Sequence, residues 1–478
     1  EDTRELKLYQ DTPSTPEILA KIPLLSREDI ERKAETFSWT EKKEDGILVL
    51  HHNFFTSGIG YLKVLFRTDA VPQEDLPYVG LLKSVLGSVD TEHYGYSDLT
   101  SEIHLNSGGL DFSVGGSQKM GEPGNFTGTF TASVKVLYEK LDFAFEMLEE
   151  ILLRSKLTDE KRLGEILDET MSRARMRLEN SSHSSAAMRA ASYYSPLSSF
   201  YDRTGGIGFY QFLEKITERC SKEEGYRLKL GKKLMEVAKT LFTASNMTIS
   251  YTADEEGYGR LPAALAAFKA VLPEGNGIRY PYEFKPELKN EGFRTASQVN
   301  YVACCGTFGE SAYTGALKVL KVILNYEYLW VNLRVKGGAY GCMSSFGRNG
   351  ETMLVSYRDP KLGETNRVYE GIPEYLRTFS IDDRDMTKYV IGAFSELDAP
   401  LNPAAKGARN LGAWLSGVTD EMIQRERDQV LNVTQEDIRA LAGLLESVLN
   451  TGALCAIGND QQIVNEQELF NEIKHLYH

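Results

Sequence analysis

The chain has 478 residues, of which 42% are hydrophobic and 26% charged, a balance typical of a folded globular protein rather than a disordered one. This length is enough for two or more domains with separate cores. The 68 acidic and 54 basic side chains give a formal net charge of −14, which argues against nucleic-acid binding because that function uses a basic surface.

The cysteines are sparse and odd in number: Cys220, Cys304, Cys305, Cys342 and Cys455. They lack paired metal-type spacing, so we expect free thiols in a reducing compartment, a bacterial cytoplasm first and an organelle matrix as the alternative. The apolar stretch 317–335 is interrupted by four charged side chains, and no membrane span is predicted. Because the chain opens with Glu1 rather than methionine, we expect the natural polypeptide to extend further upstream.

The first two hundred and fifty or so residues alternate between strand and helix patterns. Residues 1–40 are polar and proline-punctuated, and we interpret them as a connecting arm. The predicted elements are strands at 47–50 and 61–66, a helix at 76–86, strands near 110–114 and 124–133, helices over 134–153 and 159–192, and a closing strand at 246–251.

After a stretch rich in glycine, proline and charge, the same order of elements returns. The predicted elements are a strand at 299–305, a helix over 311–335, strands at 339–345 and 352–357, helices near 365–379, 383–397 and 434–448, and a strand at 453–457. The repeated order predicts an α+β fold with two homologous domains, each a mainly antiparallel sheet covered by helices. We divide the chain into a helical linker arm (1–40), a first domain (41–258), a linker (259–290) and a second domain (291–478).

Residues 334–341 carry the strongest chemical signal in the sequence, Arg-Val-Lys-Gly-Gly-Ala-Tyr-Gly. On a continuous helix, Arg334 and Tyr340 would lie on roughly opposite faces. Gly337 and Gly338 are therefore expected to end the helix and turn the chain, because glycine accepts the left-handed conformation. Tyr340 can then return towards Arg334. A fixed cation beside a phenolic donor suits a carbonyl oxygen on which negative charge develops.

Three segments together give the chain its resemblance to a known family. The stretch 8–17 with 19–23 resembles a linker between the two halves of a larger protein, and 80–114 resembles a metal-domain scaffold. Residues 334–341 are similar to a substrate-clamping Arg/Tyr segment. The family is the pitrilysin/insulinase clan of zinc metallopeptidases, within it the presequence protease and falcilysin group. The resemblance covers nearly the whole chain, as the third and fourth of four related α+β domains.

The chain departs from this family at the zinc motif. The catalytic domain of the family carries His-x-x-Glu-His on a helix, with two imidazoles holding Zn²⁺ and the glutamate acting as base. The corresponding stretch here runs from Gly80 through Lys83 to Ser84, with no imidazole and a cation in place of the base. We therefore expect no metal site and no cofactor in this chain, with zinc supplied by an N-terminal half.

The resemblance implies a zinc metalloendopeptidase that degrades unstructured peptides in a closed chamber, of which this chain is an inactive half. Arg334 and Tyr340 are the expected transition-state groups, and Gly337 and Gly338 the expected substrate-binding positions. The implied partners are the zinc-bearing half, fused or separate, and peptide substrates, with no nucleic acid or membrane. The alternatives are a non-catalytic partner subunit or scaffold of the same clan, or an unrelated α+β binding protein.

Overall fold

The computed structural model describes residues 2–19 and 21–477, except for the side chain of residue 19. Three residues lie outside the described part of the chain. They are residue 1, where the predicted arm begins, residue 20, in the linker-like stretch 19–23, and residue 478, where the predicted second domain ends. The described chain folds into two units, each built on a six-stranded sheet with helices packed against it.

The first unit is a mainly antiparallel sheet with strand order β1-β2-β6-β3-β5-β4, in which only β2 and β6 run parallel. Its strands are β1 Thr40–Glu44, β2 Ile47–Asn53, β3 Ile59–Arg67, β4 Leu110–Gln118, β5 Phe126–Leu137 and β6 Met247–Ala253. The helices from the arm to the end of this unit are α1 Asp2–Asp11, α2 Pro16–Leu19, α3 Leu76–Val85, α4 Tyr96–Asn106, α5 Leu141–Arg154, α6 Glu160–Asn180, α7 Ser182–Ala191, α8 Pro196–Gly205, α9 Ile207–Lys222, α10 Tyr226–Leu241, α11 Glu255–Tyr258 and α12 Leu261–Val271.

The second unit has strand order β12-β7-β11-β8-β10-β9, with β7 parallel to both of its neighbours and the other pairs antiparallel. Its strands are β7 Glu291–Thr295, β8 Tyr301–Thr307, β9 Gly341–Phe346, β10 Glu351–Tyr357, β11 Ala453–Asn459 and β12 Glu472–His475. Its helices are α13 Ala316–Ile323, α14 Gly363–Glu370, α15 Ile372–Arg377, α16 Asp383–Leu397, α17 Pro403–Ser416, α18 Asp420–Asn432, α19 Gln435–Ala440, α20 Ala442–Thr451 and α21 Asp460–Asn465.

The two units share a five-stranded core. Numbered from β2 in the first unit and from β7 in the second, both read 1-5-2-4-3, with the 1–5 pair parallel and the other pairs antiparallel. The sixth strand differs, because β1 precedes the first core whereas β12 follows the second. The predicted α+β fold with two related, mainly antiparallel domains is confirmed.

The predicted boundaries of the segments 134–153 and 259–290 are wrong. The helix predicted over 134–153 begins at Leu141, because Val134 to Leu137 alternate between buried and exposed and continue strand β5. The predicted linker 259–290 contains helix α12, whose Leu261, Leu265 and Phe268 lie in the core of the first unit. The spacing of these apolar residues is that of one helix face, so the connecting segment is shorter than predicted.

Helix α7 of the first unit joins the two units. Its small side chains, among them Ala186, Ala187 and Ala190, are buried against the second sheet, where they meet Ala303 and Cys305 of β8. Alanines let a helix approach a sheet closely, so the two units share one apolar cluster at this contact.

A buried ion-pair network accompanies this apolar contact. Arg189 of α7 donates from Nε to Glu291 Oε2 of β7 at 2.6 Å and from Nη1 to Asp202 Oδ2 at 2.7 Å. Lys474 Nζ of β12 lies 2.8 Å from Glu291 Oε1, and the Tyr193 hydroxyl also donates to this carboxylate. Burial alone would raise the pKa of Glu291, but Arg189, Lys474 and Tyr193 outweigh it and lower the pKa to about 2.

Replacing Glu291 with Gln should destabilise the chain by about 3–5 kcal/mol, because the buried Arg189 loses one of its two carboxylate partners and Lys474 loses its bond to the same carboxylate. The measurement is denaturant unfolding. The matched control is Glu472→Gln, which removes a partly exposed carboxylate beside the same Lys474 and should change stability by less than about 0.5 kcal/mol. Equal losses for the two variants would mean that the Glu291 network does not hold the units together.

Acid stability should depend on His52 of β2, which is fully buried, with Nε2 3.0 Å from Ser250 Oγ. Burial lowers its pKa to about 4, so the folded chain keeps this ring neutral while the unfolded chain protonates it near pH 6.5. The free energy of unfolding is therefore expected to decrease by about 3 kcal/mol as the pH falls from above 6.5 towards 4. His52→Leu should remove this component in unfolding titrations at several pH values. A wild-type minus variant difference that stays constant with pH would contradict the assignment.

Candidate functional site

The segment that leads to residues 334–341 is not a regular α-helix. The helix predicted over 311–335 begins at Ala316, and after α13 the chain continues as π-helical turns at Leu324–Tyr328 and Trp330–Lys336. Leu324, Leu329 and Leu333 are buried beneath it. The wider π-helical turns shift side-chain direction relative to an α-helix and are frequent at functional sites.

The turn at the end of this segment depends on Gly338. Its φ is +85°, the left-handed region, and its N–H donates to the Arg334 carbonyl at 3.0 Å. Gly337 instead keeps a right-handed conformation, so the expected left-handed turn uses only the second glycine. A Cβ at Gly337 would lie 2.6 Å from the Leu333 carbonyl oxygen, so this position requires glycine for space.

The turn brings Arg334 and Tyr340 together, and we call residues 334–341 the Arg–Tyr turn. Arg334 Nη1 donates to the main-chain carbonyl of Tyr340. The guanidinium carbon lies 5.2 Å from the centroid of the Tyr340 ring and 4.3 Å from that of Trp330. Arg334 is therefore held by cation–π contacts on two sides, and a guanidinium suits such stacking better than an ammonium does.

Tyr340 projects from the surface although its main chain is fixed. Its N–H donates to the Tyr357 carbonyl at 3.0 Å, which ties the turn to the end of β10. The residue is 62% exposed, and within the described chain its hydroxyl has no hydrogen-bond partner. A phenol on a fixed backbone with a free hydroxyl is available to donate to a ligand.

A chain of aromatic rings supports Tyr340 from behind. Its ring centroid lies 5.9 Å from that of Tyr357, which lies 5.6 Å from Tyr301 and 4.9 Å from His183. His183 belongs to α7 of the first unit, and burial lowers its pKa, which favours the neutral ring. Sequence reasoning missed Tyr357, Tyr301 and His183 because these rings come from distant parts of the chain and follow no motif.

The helix that corresponds to the zinc motif has no room for a metal ligand at its first position. A Cβ on Gly80 of α3 would lie 2.6 Å from the Thr204 carbonyl oxygen and 3.0 Å from the Phe209 ring. Lys83 and Ser84 follow on the same helix. Over residues 2–19 and 21–477, no group of three His, Cys, Asp or Glu side chains is placed to hold a metal ion. The residues at α3 do not fit zinc.

Other side chains of metal-ligand type near this helix have partners within the chain. His93 lies in the loop beyond α3, where its Nδ1 is 2.9 Å from Glu150 Oε2. Glu165 and Glu169 of α6 form surface ion pairs with Arg162 and Arg173. All five cysteines are free thiols. The structure does bring Arg334 and Tyr340 together at the Arg–Tyr turn.

The fold is similar to those of solved peptidase structures. The solved structure of a peptidase M16 inactive domain from Pseudomonas fluorescens is 16% identical, covers 88% of this chain and 98% of that one, and gives a TM-score of 0.63. A protease from Helicobacter pylori is 11% identical, covers 89% of this chain and all of that one, and also gives a TM-score of 0.63. These likenesses show a fold of the M16 peptidase type.

The sequence is similar to family models and to curated proteins over most of its length. The family model for the region associated with peptidase family M16, subfamily C, matches residues 1–216, and the model "PreP C-terminal domain" matches 290–459. Protein HypA from Clostridium perfringens is 35% identical over 99% of this chain and 48% of its own length. Presequence protease 1, chloroplastic/mitochondrial, from Arabidopsis thaliana is 29% identical over 99% of this chain and 44% of its own length. The chain belongs to the pitrilysin clan, in its presequence protease group, and corresponds to the C-terminal half.

The chain spans about half the length of the curated relatives that it matches. Within the described residues, none of the helices combines the length and apolar character needed to cross a bilayer.

Replacing Gly338 with Ala should destabilise the chain by about 1–2 kcal/mol, because a Cβ disfavours the left-handed conformation there. Denaturant unfolding measures the loss. Gly412→Ala in α17 is the control, since a Cβ there meets open space and alanine is the better helix former. If Gly338→Ala is as stable as the wild type, the Arg–Tyr turn tolerates another backbone conformation.

Proposed function

We propose that this chain is the non-catalytic half of a zinc-dependent peptidase that degrades unstructured peptides inside a closed chamber. An N-terminal half supplies the zinc ion and the general base, and this chain supplies substrate binding and transition-state stabilisation. The observation that carries the proposal is the Tyr340 phenol, exposed and without a hydrogen-bond partner in the described chain, on a rigid turn beside Arg334.

The chemistry of the two side chains assigns them different roles. Tyr340 donates its phenolic hydrogen to the scissile carbonyl oxygen, where negative charge grows as the tetrahedral intermediate forms. Arg334 uses one N–H on the Tyr340 main chain and keeps further N–H groups for a neighbouring substrate carbonyl. Gly337 and Gly338 carry no side chain, so a substrate backbone can pass close to the turn.

The exposed apolar surface around the turn supports contact with another polypeptide. Tyr326, Trp330, Val331, Val335 and Met343 are each more than one third exposed. Exposed apolar side chains clustered in this way are typical of surfaces that bind a partner or a ligand. A chamber wall that holds unstructured peptides needs such a surface.

The arm supports the existence of a covering half. Leu6, Leu8, Tyr9, Ile18 and Leu25 are each more than half exposed, and α1 has no buried residue. Helices in water bury an apolar face, so this arm is suited to lie against a further domain. The relatives that are about twice as long have room for that domain, which favours a fused half over a separate partner subunit.

The proposal extends to the compartment. Five free thiols, three of them buried, suit a reducing environment such as a bacterial cytoplasm or an organelle matrix.

In the assembled enzyme, Tyr340→Phe should lower kcat by about 10²–10³-fold, because the transition state loses one hydrogen-bond donor. The stability of the chain should stay within about 0.5 kcal/mol of the wild type, since the lost hydroxyl has no partner in the described chain. Steady-state hydrolysis of an unstructured fluorogenic peptide measures the effect.

Tyr326→Phe is the matched control, because Tyr326 is 68% exposed on the π-helical turn that leads to the Arg–Tyr turn. It should leave kcat within about twofold of the wild type, a difference of less than about 0.5 kcal/mol in the barrier. Full turnover by Tyr340→Phe would remove the phenol from the mechanism. Equal losses in both variants would point to a general effect on this surface rather than to a donated hydrogen bond.

A further inference from the structure

A cavity of about 540 Å³ lies in the first unit beside α3, at the position of the degenerate zinc motif. Most of its walls come from α3, α4, β4 and α6, with single residues from α5, α8 and α9. The charged and titratable side chains that line it are Lys83, His104, Asp111, Arg173 and Arg177. Neither the zinc chemistry of the family nor the Arg–Tyr turn accounts for this set.

Lys83 is the unusual member of the set. It is half-buried on α3, yet within the described chain its ammonium has no hydrogen bond and no carboxylate partner. Burial lowers its pKa, and the positive charge of Arg177 lowers it further. A half-buried charge without a partner is unfavourable, and a second cation nearby adds to the cost.

Several other buried or half-buried cations in this chain are paired. Arg189 holds Glu291 and Asp202, Lys233 Nζ lies 2.8 Å from Asp75 Oδ2, and Arg427 forms an ion pair with Asp398. These pairs are the usual solution for buried charge. Lys83 has no such carboxylate partner in the described chain, so the electrostatic field around it favours binding of an anion.

The side chains that line the cavity also carry a net positive charge. Of the three lining cations, Arg173 is engaged by Glu169, whereas Lys83 and Arg177 have no carboxylate partner in the described chain. Asp111 is the one carboxylate among the lining residues, and it is exposed. Hydroxyls of Ser84, Ser88 and Thr170 also line the walls and can donate hydrogen bonds to oxygen atoms.

We propose that this cavity, the Lys83 cavity, binds a small oxyanion of carboxylate or phosphate chemistry between Lys83 and Arg177. A charge-assisted bond from an ammonium and a guanidinium to the same oxyanion neutralises both cations at once. Ile103, Phe112 and Phe209 give the cavity an apolar portion, which would accommodate the carbon skeleton of an organic carboxylate. This inference does not depend on the proposed function, since it uses no residue of the Arg–Tyr turn.

Isothermal titration of the full chain tests the proposal with two probes at constant ionic strength. The probes are inorganic phosphate and a short peptide with a free C-terminal carboxylate, compared with the same peptide amidated. At least one probe should bind in the millimolar range or tighter, and amidation should abolish binding of the peptide if a carboxylate is the ligand. Binding of one probe but not the other supports the site and identifies its chemistry.

Variants localise the binding. Lys83→Met keeps the packed stem and removes the charge, and it should weaken binding at least tenfold while raising the melting temperature of the ligand-free chain. Arg177→Gln should weaken binding similarly. The matched control is Lys63→Met on β3, which removes another half-buried lysine without a carboxylate partner in the described chain, at a position that does not line the cavity.

Lys63→Met should bind both probes as the wild type does. The proposal is overturned if neither probe binds the wild type, or if Lys83→Met binds as tightly as the wild type.

Discussion

The ion pair between Arg189 and Glu291 holds the second sheet against the first unit, and helix α7 carries the arginine. The same ten-residue helix supplies the alanines that pack on β8 and the His183 ring that meets Tyr357. Tyr357 in turn supports Tyr340. One short helix thus ties the Arg–Tyr turn to the first unit through a charge, an apolar contact and a ring contact.

The shared strand order gives the two candidate sites a common place in the fold. In each unit, the segment between the second and third core strands is helical: α3 and α4 between β3 and β4, and α13 with the π-helical turns between β8 and β9. The first of these segments packs Gly80 against α8 and leaves the Lys83 cavity beside it. The second ends in the Arg–Tyr turn. The same position in the fold thus holds a close-packed helix in one unit and an exposed turn in the other.

Much of this structure follows from patterns in the sequence, and the failures have physical causes. Helix α16 was predictable to the residue, because Asp382 caps its N-terminus and the apolar spacing is regular. The edge strands β1 and β12 were not, since they are short and polar, and their pairing depends on the neighbouring strand rather than on a buried face. The π-helical turns were also hidden, because the apolar period of the segment is close to that of an α-helix.

The parts of the candidate site that are close together in the sequence were predictable, and the parts that come from distant segments were not. Arg334, Gly338 and Tyr340 lie within seven residues, so the conformational freedom of glycine was enough to bring them together. Tyr357 reaches the site through the pairing of β10 with β9, and His183 reaches it only through packing between the units. Lys83 was recognised as a departure from the zinc motif, but its cavity with Arg177 depends on how α6 lies beside α3.

The central claim is that this chain contributes binding groups to a peptidase whose metal lies on another part of the protein. Zinc content measures this directly, after the purified chain has been incubated with excess zinc and freed of unbound ions by gel filtration. We expect far less than one zinc ion per chain. Helix α3 has no room for a ligand side chain at position 80, and Lys83 places a positive charge where the family has its general base. One tightly held ion per chain, retained against a chelator, would contradict it.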